Sequence, residues 1–176
     1  MEKNNKKFRV VLSGGVLYSN TSSAISLYNK SRFGEMKNSK IVYSVFEGLY
    51  LLEENKVELI SNNKQITFDK LLAKILKSDK KARTKYTVFK DMRKRGFVVK
   101  SALKFGAEFR VYEKGITPGK DHAKWILYPV DESSELVWHD FTAKNRVAHS
   151  TKKKLLIGIT DSEEDVSYYE IQWIKP

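Results

Sequence analysis

Cysteine is absent from this 176-residue chain, which excludes disulfide staples, thiolate nucleophiles and cysteine-based zinc sites. Histidine is nearly as scarce: His122, His139 and His149 are the whole supply, too few for a histidine-rich metal centre. No run approaches the ~18 consecutive apolar residues of a membrane helix. The opening MEKNNKKFRVVL has too short an apolar stretch, and no small-residue cleavage site after it, to read as a secretory signal. Internal repeats and low-complexity tracts are missing too. These absences predict a soluble globular protein with a cytoplasmic address and no membrane partner.

What is present is cationic. Lysine and arginine total 33 against 21 acidic residues, a net charge of +12 and a pI near 9.7, the footprint of a protein that binds a polyanion. Such an excess speaks of association and solubility and does not locate a site. Hydrophobic residues make up 41%, enough to bury a core, and the length suits one ordinary domain or two small ones.

Periodicity organises the chain. FRVVL, a Ser-Gly-Gly turn and GVLY predict a hairpin near the start. SVFEGLYLLEEN opens with Ser44 and carries Glu47 in the N3 position, a capping box ahead of the apolar residues Val45, Leu49 and Leu52, and so predicts a helix. The strand VELI and the turn SNNKQ follow. Thr67 then opens a helix with Phe68, Leu71, Leu72, Ile75 and Leu76 on one face. Residues 77–85, KSDKKARTK, turn almost wholly polar, and the expected domain break falls there: residues 1–84 form a small N-terminal mixed α/β domain, residues 85–176 a second domain.

YTVFKDMRKRG predicts a basic helix closed by Gly96 in a left-handed cap. FVVKSAL, EFRVY, KWILYPV and ELVW read as strands. A helix starting at His139 or Asp140 runs through FTAKNRVAHSTKK, then come the strand LLIGIT, the acidic turn DSEED and the strand VSYYEIQWI. A mixed central sheet flanked by helices makes the second half an α/β or α+β unit.

In order and spacing, the stretches YTVFKDMRKRGFVVKSALKFGAEFRVYEKG, DHAKW, RVAHSTKKKLLIGITD and YYEIQWIKP resemble the catalytic domain of the archaeal tRNA-splicing endonucleases. VYSVFEGLYLL and FDKLLAK are similar to that family's smaller N-terminal domain. The resemblance implies cleavage of precursor tRNA at intron boundaries, in the bulge-helix-bulge class of RNA, without metal or other cofactor. It implies a catalytic trio of tyrosine, histidine and lysine that falls on Tyr112 at the end of FRVY, His122 in KDHAK, and Lys153, flanked by Lys152 and Lys154. It also implies that Arg146 and Trp173 clamp a flipped base. Arg146 lies seven residues before Lys153, so the two share a helical face if that helix persists. The acidic residues Asp161, Glu163, Glu164 and Asp165 would insert into a basic pocket of another subunit. Assembly would be a homotetramer, or a heterotetramer with a related non-catalytic subunit.

The chemistry suits those residue types. Transesterification of RNA needs a 2′-hydroxyl deprotonated, a 5′-oxygen protonated and phosphorane charge offset. An imidazole, which titrates near neutrality, suits the acid. A lysine supplies fixed positive charge for the non-bridging oxygens. A phenol, with a pKa of about 10, serves as base where a nearby cation lowers that value, Lys153 being the candidate for Tyr112, and otherwise orients the 2′-hydroxyl. Two other classes compete: a metal-dependent nuclease built on Glu108, Glu113 and Asp121, and a non-catalytic RNA-binding subunit that grips phosphate with Lys90 to Arg95 and Lys152 to Lys154.

Overall fold

Two separate alternations of strand and helix account for the architecture. A computed structural model describes residues 7–102, 107–116, 118–119 and 121–174, and the chain divides between Ala82 and Arg83 into two compact units. Each unit is a mixed sheet with helices, an α+β arrangement. No helix among the described residues is long and apolar enough to cross a membrane.

The first unit runs β1 (Phe8–Ser13), β2 (Val16–Ser19), α1 (Ser22–Ser31), β3 (Glu35–Lys37), β4 (Lys40–Tyr43), α2 (Val45–Glu53), β5 (Val57–Ser61), β6 (Lys64–Ile66) and α3 (Phe68–Leu76). Its sheet has the order β3-β4-β2-β1-β5-β6, with β1 and β5 parallel. Gly14 and Gly15 both take positive φ between β1 and β2, the conformation that a two-residue hairpin loop demands. The capping box forms: Ser44 Oγ accepts from Glu47 N at 3.2 Å and Glu47 Oε2 accepts from Ser44 N at 2.9 Å. Glu47 is buried because its other oxygen accepts from Gly34 N at 2.8 Å, tying α2 to the chain ahead of β3.

The elements that sequence reasoning passed over lack a strong period. Helix α1 is serine-rich and buries Ala24 alone among its residues, with Thr21 as its cap. The β3–β4 turn uses Asn38 and Ser39 at positive φ without a glycine, and Asn62 and Asn63 do the same between β5 and β6, so Lys64 and Gln65 belong to a strand and not to a turn.

The second unit holds α4 (Ala82–Lys94), β7 (Val98–Ser101), β8 (Phe109–Tyr112), β9 (Trp125–Asp131), α5 (Trp138–Ser150), β10 (Lys154–Thr160) and β11 (Val166–Ile171). Leu103, expected to extend the first of these strands, lies outside the described residues. The sheet order is β11-β10-β9-β8-β7, antiparallel except for β9 and β10, which run parallel and are joined by the crossover helix α5. Helix α4 closes as expected, with Gly96 at φ +90° and Phe97 N donating to Met92 O at 3.1 Å. It starts inside the polar stretch 77–85. One face of the sheet packs on α4, where Phe89 meets Phe109 with ring centroids 5.7 Å apart. The other face joins α5 through Ile126, Tyr128, Ala148 and Leu155.

ELVW is not a strand. β9 ends at Asp131, whose carboxylate accepts from Ser133 N to form a turn, residues 135–137 are irregular and exposed, and Trp138 begins α5. Three consecutive apolar residues, Leu136 to Trp138, have no period to separate strand from helix start.

Gly158 of β10 sits against α4: a Cβ there would lie 2.8 Å from Val88 Cγ1 and 3.1 Å from Tyr168 Cε1. Gly158→Ala is expected to lower stability by about 1–3 kcal/mol through overpacking, read as a lower urea midpoint with an unchanged slope; an unchanged midpoint contradicts this packing.

Candidate active site

Strand alternation sends Phe109 and Val111 to the α4 side of the sheet and Arg110 and Tyr112 to the other. The Arg110 guanidinium carbon lies 5.9 Å from the Tyr112 ring centroid. Tyr112 is 3% exposed, packed in a small cluster with Val98 and Ala123, with Ile116 against it. Val98 faces it across the β7–β8 ladder.

The loop after Tyr112 folds back over this ring. Gly115 takes φ +80°, Ile116 N donates to Glu113 O at 3.3 Å, and Pro118 bridges to Asp121. Ala123 is then buried against Tyr112, and His122, its immediate neighbour in sequence, is left exposed at the loop's return. Lys124 N donates to Val111 O at 3.0 Å, starting β9 beside the end of β8.

Lys153 is fixed by the end of α5. Thr151 is the cap residue, Lys152 turns left-handed at φ 55°, Lys152 N donates to His149 O at 2.9 Å and Lys153 N to Ala148 O at 2.8 Å. These are the paired bonds of a Schellman motif, formed here with lysine where glycine is usual. Lys154 N then donates to Lys124 O at 3.0 Å. The chain thereby stitches the end of β8, the start of β9 and the start of β10 along one edge of the sheet. Val111 and Lys154 lie on either side of Lys124, two strand spacings or about 10 Å apart; Tyr112 and Lys153 are next to them in the chain, and His122 is two residues before Lys124.

The helix stops before Lys153, so the single helical face expected for Arg146 and Lys153 does not form.

The neighbouring lysines differ in environment. Lys154 binds Glu170 on the α4 side, and with the Trp125 indole N–H it holds the Glu170 carboxyl down to about 2. Lys153 Nζ donates to Thr151 O at 2.7 Å. Burial, and then the Arg110 guanidinium, push the Lys153 ammonium below the usual lysine value. Lys100, 4% exposed, stands across from Arg110 on β7.

Arg146 and Trp173 line one cavity of about 720 Å³, with Phe141, His149 and Ile171 among its other walls. Trp173 is 63% exposed, and its ring meets His149 edge-on, centroids 4.3 Å apart at 83°. A smaller cavity of about 160 Å³ shares His149 and Trp173 and reaches Lys153. Trp173 and Lys153 thus line one cavity together.

The acidic residues divide by role. Asp161 Oδ1 accepts from Glu163 N and Asp165 N, both at 2.9 Å, so Asp161 builds the β10–β11 turn. Glu163, Glu164 and Asp165 are exposed, and Glu164 approaches Arg83 at 3.7 Å. The carboxylates considered for metal are not gathered. Glu108 pairs with Lys85 at 2.8 Å, Glu113 pairs with Lys124, and no group of three or more candidate ligands occurs among the described residues.

Sequence reasoning missed Arg110, Lys100 and His149. Arg110 was legible, since FRVY puts it on the face of Tyr112 by strand period. His149 follows Arg146 by three helical positions.

The Lys153 shift carries a sign. A lowered pKa means the folded chain holds this proton at a cost at neutral pH, and the cost fades as pH rises from the lowered value towards the ordinary 10.5. Lys153→Met is therefore expected to melt within about 3 °C of the wild type, or higher, at pH 7, the difference moving against the variant at high pH. A calorimetric fall of more than about 6 °C at pH 7 shows instead that the Thr151 bond dominates.

Comparison with known proteins bears on the whole chain. The model of the tRNA intron endonuclease catalytic C-terminal domain matches residues 82–168, and that of the tRNA intron endonuclease N-terminal domain matches residues 9–72. The tRNA-splicing endonuclease of Thermococcus onnurineus is 40% identical over 165 residues, 93% of this chain and 95% of its own length. That of Pyrococcus abyssi is 39% identical over 171 residues, 97% and 98% respectively. That of Methanothermobacter thermautotrophicus is 36% identical over 156 residues, 89% and 91%.

Proposed function

The chain belongs to the tRNA intron endonuclease family, and we propose that it cuts precursor tRNA at the intron–exon boundaries of a bulge-helix-bulge fold by metal-independent transesterification. The observation that carries this reading is the stitched edge of the second sheet, where Val111, Lys124 and Lys154 are joined by backbone bonds and Tyr112, His122 and Lys153 are within a few residues of them.

The 2′-hydroxyl oxygen attacks the adjacent phosphorus while its proton passes to Tyr112 as base, or is oriented by it. The bond from phosphorus to the 5′-oxygen breaks, and His122 gives that oxygen a proton. The products are a 2′,3′-cyclic phosphate and a 5′-hydroxyl. Lys153 offsets the charge on the non-bridging oxygens, an interaction strengthened by its partial burial. Arg146 and Trp173, lining one cavity, would hold a flipped base between a cationic and an aromatic plane, worth ~1–3 kcal/mol per base.

Precursor tRNA has two cleavage sites, so an assembly with two active subunits at fixed separation measures the distance between them. Glu163, Glu164 and Asp165, exposed on a turn braced by Asp161, suit a basic pocket of another subunit, in a homotetramer or beside a related non-catalytic subunit.

Single-turnover cleavage of a model bulge-helix-bulge RNA tests the reading. His122→Ala is expected to cut at least ~100-fold more slowly while binding within about threefold of the wild type, and EDTA to leave the wild-type rate unchanged. Normal cleavage by His122→Ala overturns the assignment. Loss of activity in EDTA with recovery in Mg²⁺ favours the metal-dependent class.

A further inference from the structure

We infer that Arg110 is a positioning residue for the cleavage step, its guanidinium setting the local field at the Tyr112 ring and near Lys153; the inference rests on the reading above.

Geometry sets Arg110 beside Tyr112. It occupies the same face of β8 as Tyr112, its guanidinium carbon 5.9 Å from the ring centroid, inside the range in which cation and ring attract. In register its neighbour on β9 is Ile126, and that of Ile126 on β10 is Leu155, two residues after Lys153. Arg110 is half-buried, so its field is weakly screened. Its effect reaches Lys153, whose ammonium is pushed down by burial and then by this guanidinium.

A guanidinium does not titrate in the working range, so its charge is constant. A fixed cation favours the phenolate over the phenol and the neutral amine over the ammonium, so it draws both titrations down in pH.

Other groups share this field. Lys100 stands across on β7, Glu108 directly precedes β8 and is paired with Lys85, Tyr128 lies two residues beyond Ile126 on β9, Lys154 on β10 is held by Glu170, and His149 of α5 lines the Lys153 cavity. None of them lies beside Tyr112 on its own strand face as Arg110 does.

The test is single-turnover cleavage of bulge-helix-bulge RNA across the pH range, with binding of the same RNA carrying a 2′-deoxy residue at the cut site measured in parallel. Arg110→Met is expected to displace the profile upwards by about one pH unit, making cleavage near pH 7 about tenfold slower, with binding within about threefold. Arg110→Lys is expected to return the profile towards the wild type. Arg110→Gln, polar and of similar reach, gives the same displacement should the methionine variant not fold. A rate reduced by one factor at every pH, without displacement, or an unchanged rate overturns the inference. Normal cleavage by His122→Ala overturns the acid–base reading itself, whereas an undisplaced profile with His122 essential overturns only the role of Arg110.

Discussion

The parallel pairing of β9 with β10 is the constraint on which the second unit's site depends. Parallel strands need a crossover, here α5, and the crossover must end where β10 begins beside β9. Val111 O receives Lys124 N, and Lys124 O receives Lys154 N, so three segments distant in sequence share one sheet edge. Packing holds it from both sides: Gly158 lets β10 close on Val88 of α4, and Ala148 brings α5 down onto Ile126 and Leu155.

Local rules then decide which side chains point where. The left-handed Lys152 ends α5 abruptly, and strand alternation separates the next two lysines: Lys154 goes to Glu170 on the α4 side, Lys153 stays near Arg110. A one-residue slip at this cap would exchange their roles. Across β9 from Lys153, burial of Ala123 against Tyr112 returns the loop and sets His122 at its rim. The phenol is buried, the imidazole exposed and the ammonium half-buried, so the three groups differ in their access to solvent.

Much of this was legible in the sequence because the signals were periodic or chemical. Ser44 with Glu47, the apolar series after Thr67 and Gly96 after a basic helix each have a mechanism that fixes an element, and each element formed. The family was legible in the order of FRVY, DHAK and HSTKKK, and the matched domains and relatives bear it out. What escaped had weaker signals. Helix α1 presents serines where a core face would be apolar, the turns at Asn38–Ser39 and Asn62–Asn63 are left-handed without glycine, and ELVW had the residues of a strand in a loop and helix start. The end of α5 was unreadable for a related reason: its left-handed position is a lysine inside a lysine run, where composition predicts a solvated helix end.

The central claim is that phenol, imidazole and ammonium act on one phosphate. A crystal structure of the chain bound to bulge-helix-bulge RNA, blocked by a 2′-deoxy residue at the cut site, tests it most directly. The account predicts the Tyr112 oxygen beside the 2′-carbon, a His122 nitrogen facing the 5′-oxygen and Lys153 Nζ at a non-bridging oxygen, each within about 3–4 Å of its target. A scissile phosphate reached by none of the three, or by only one of them, contradicts it.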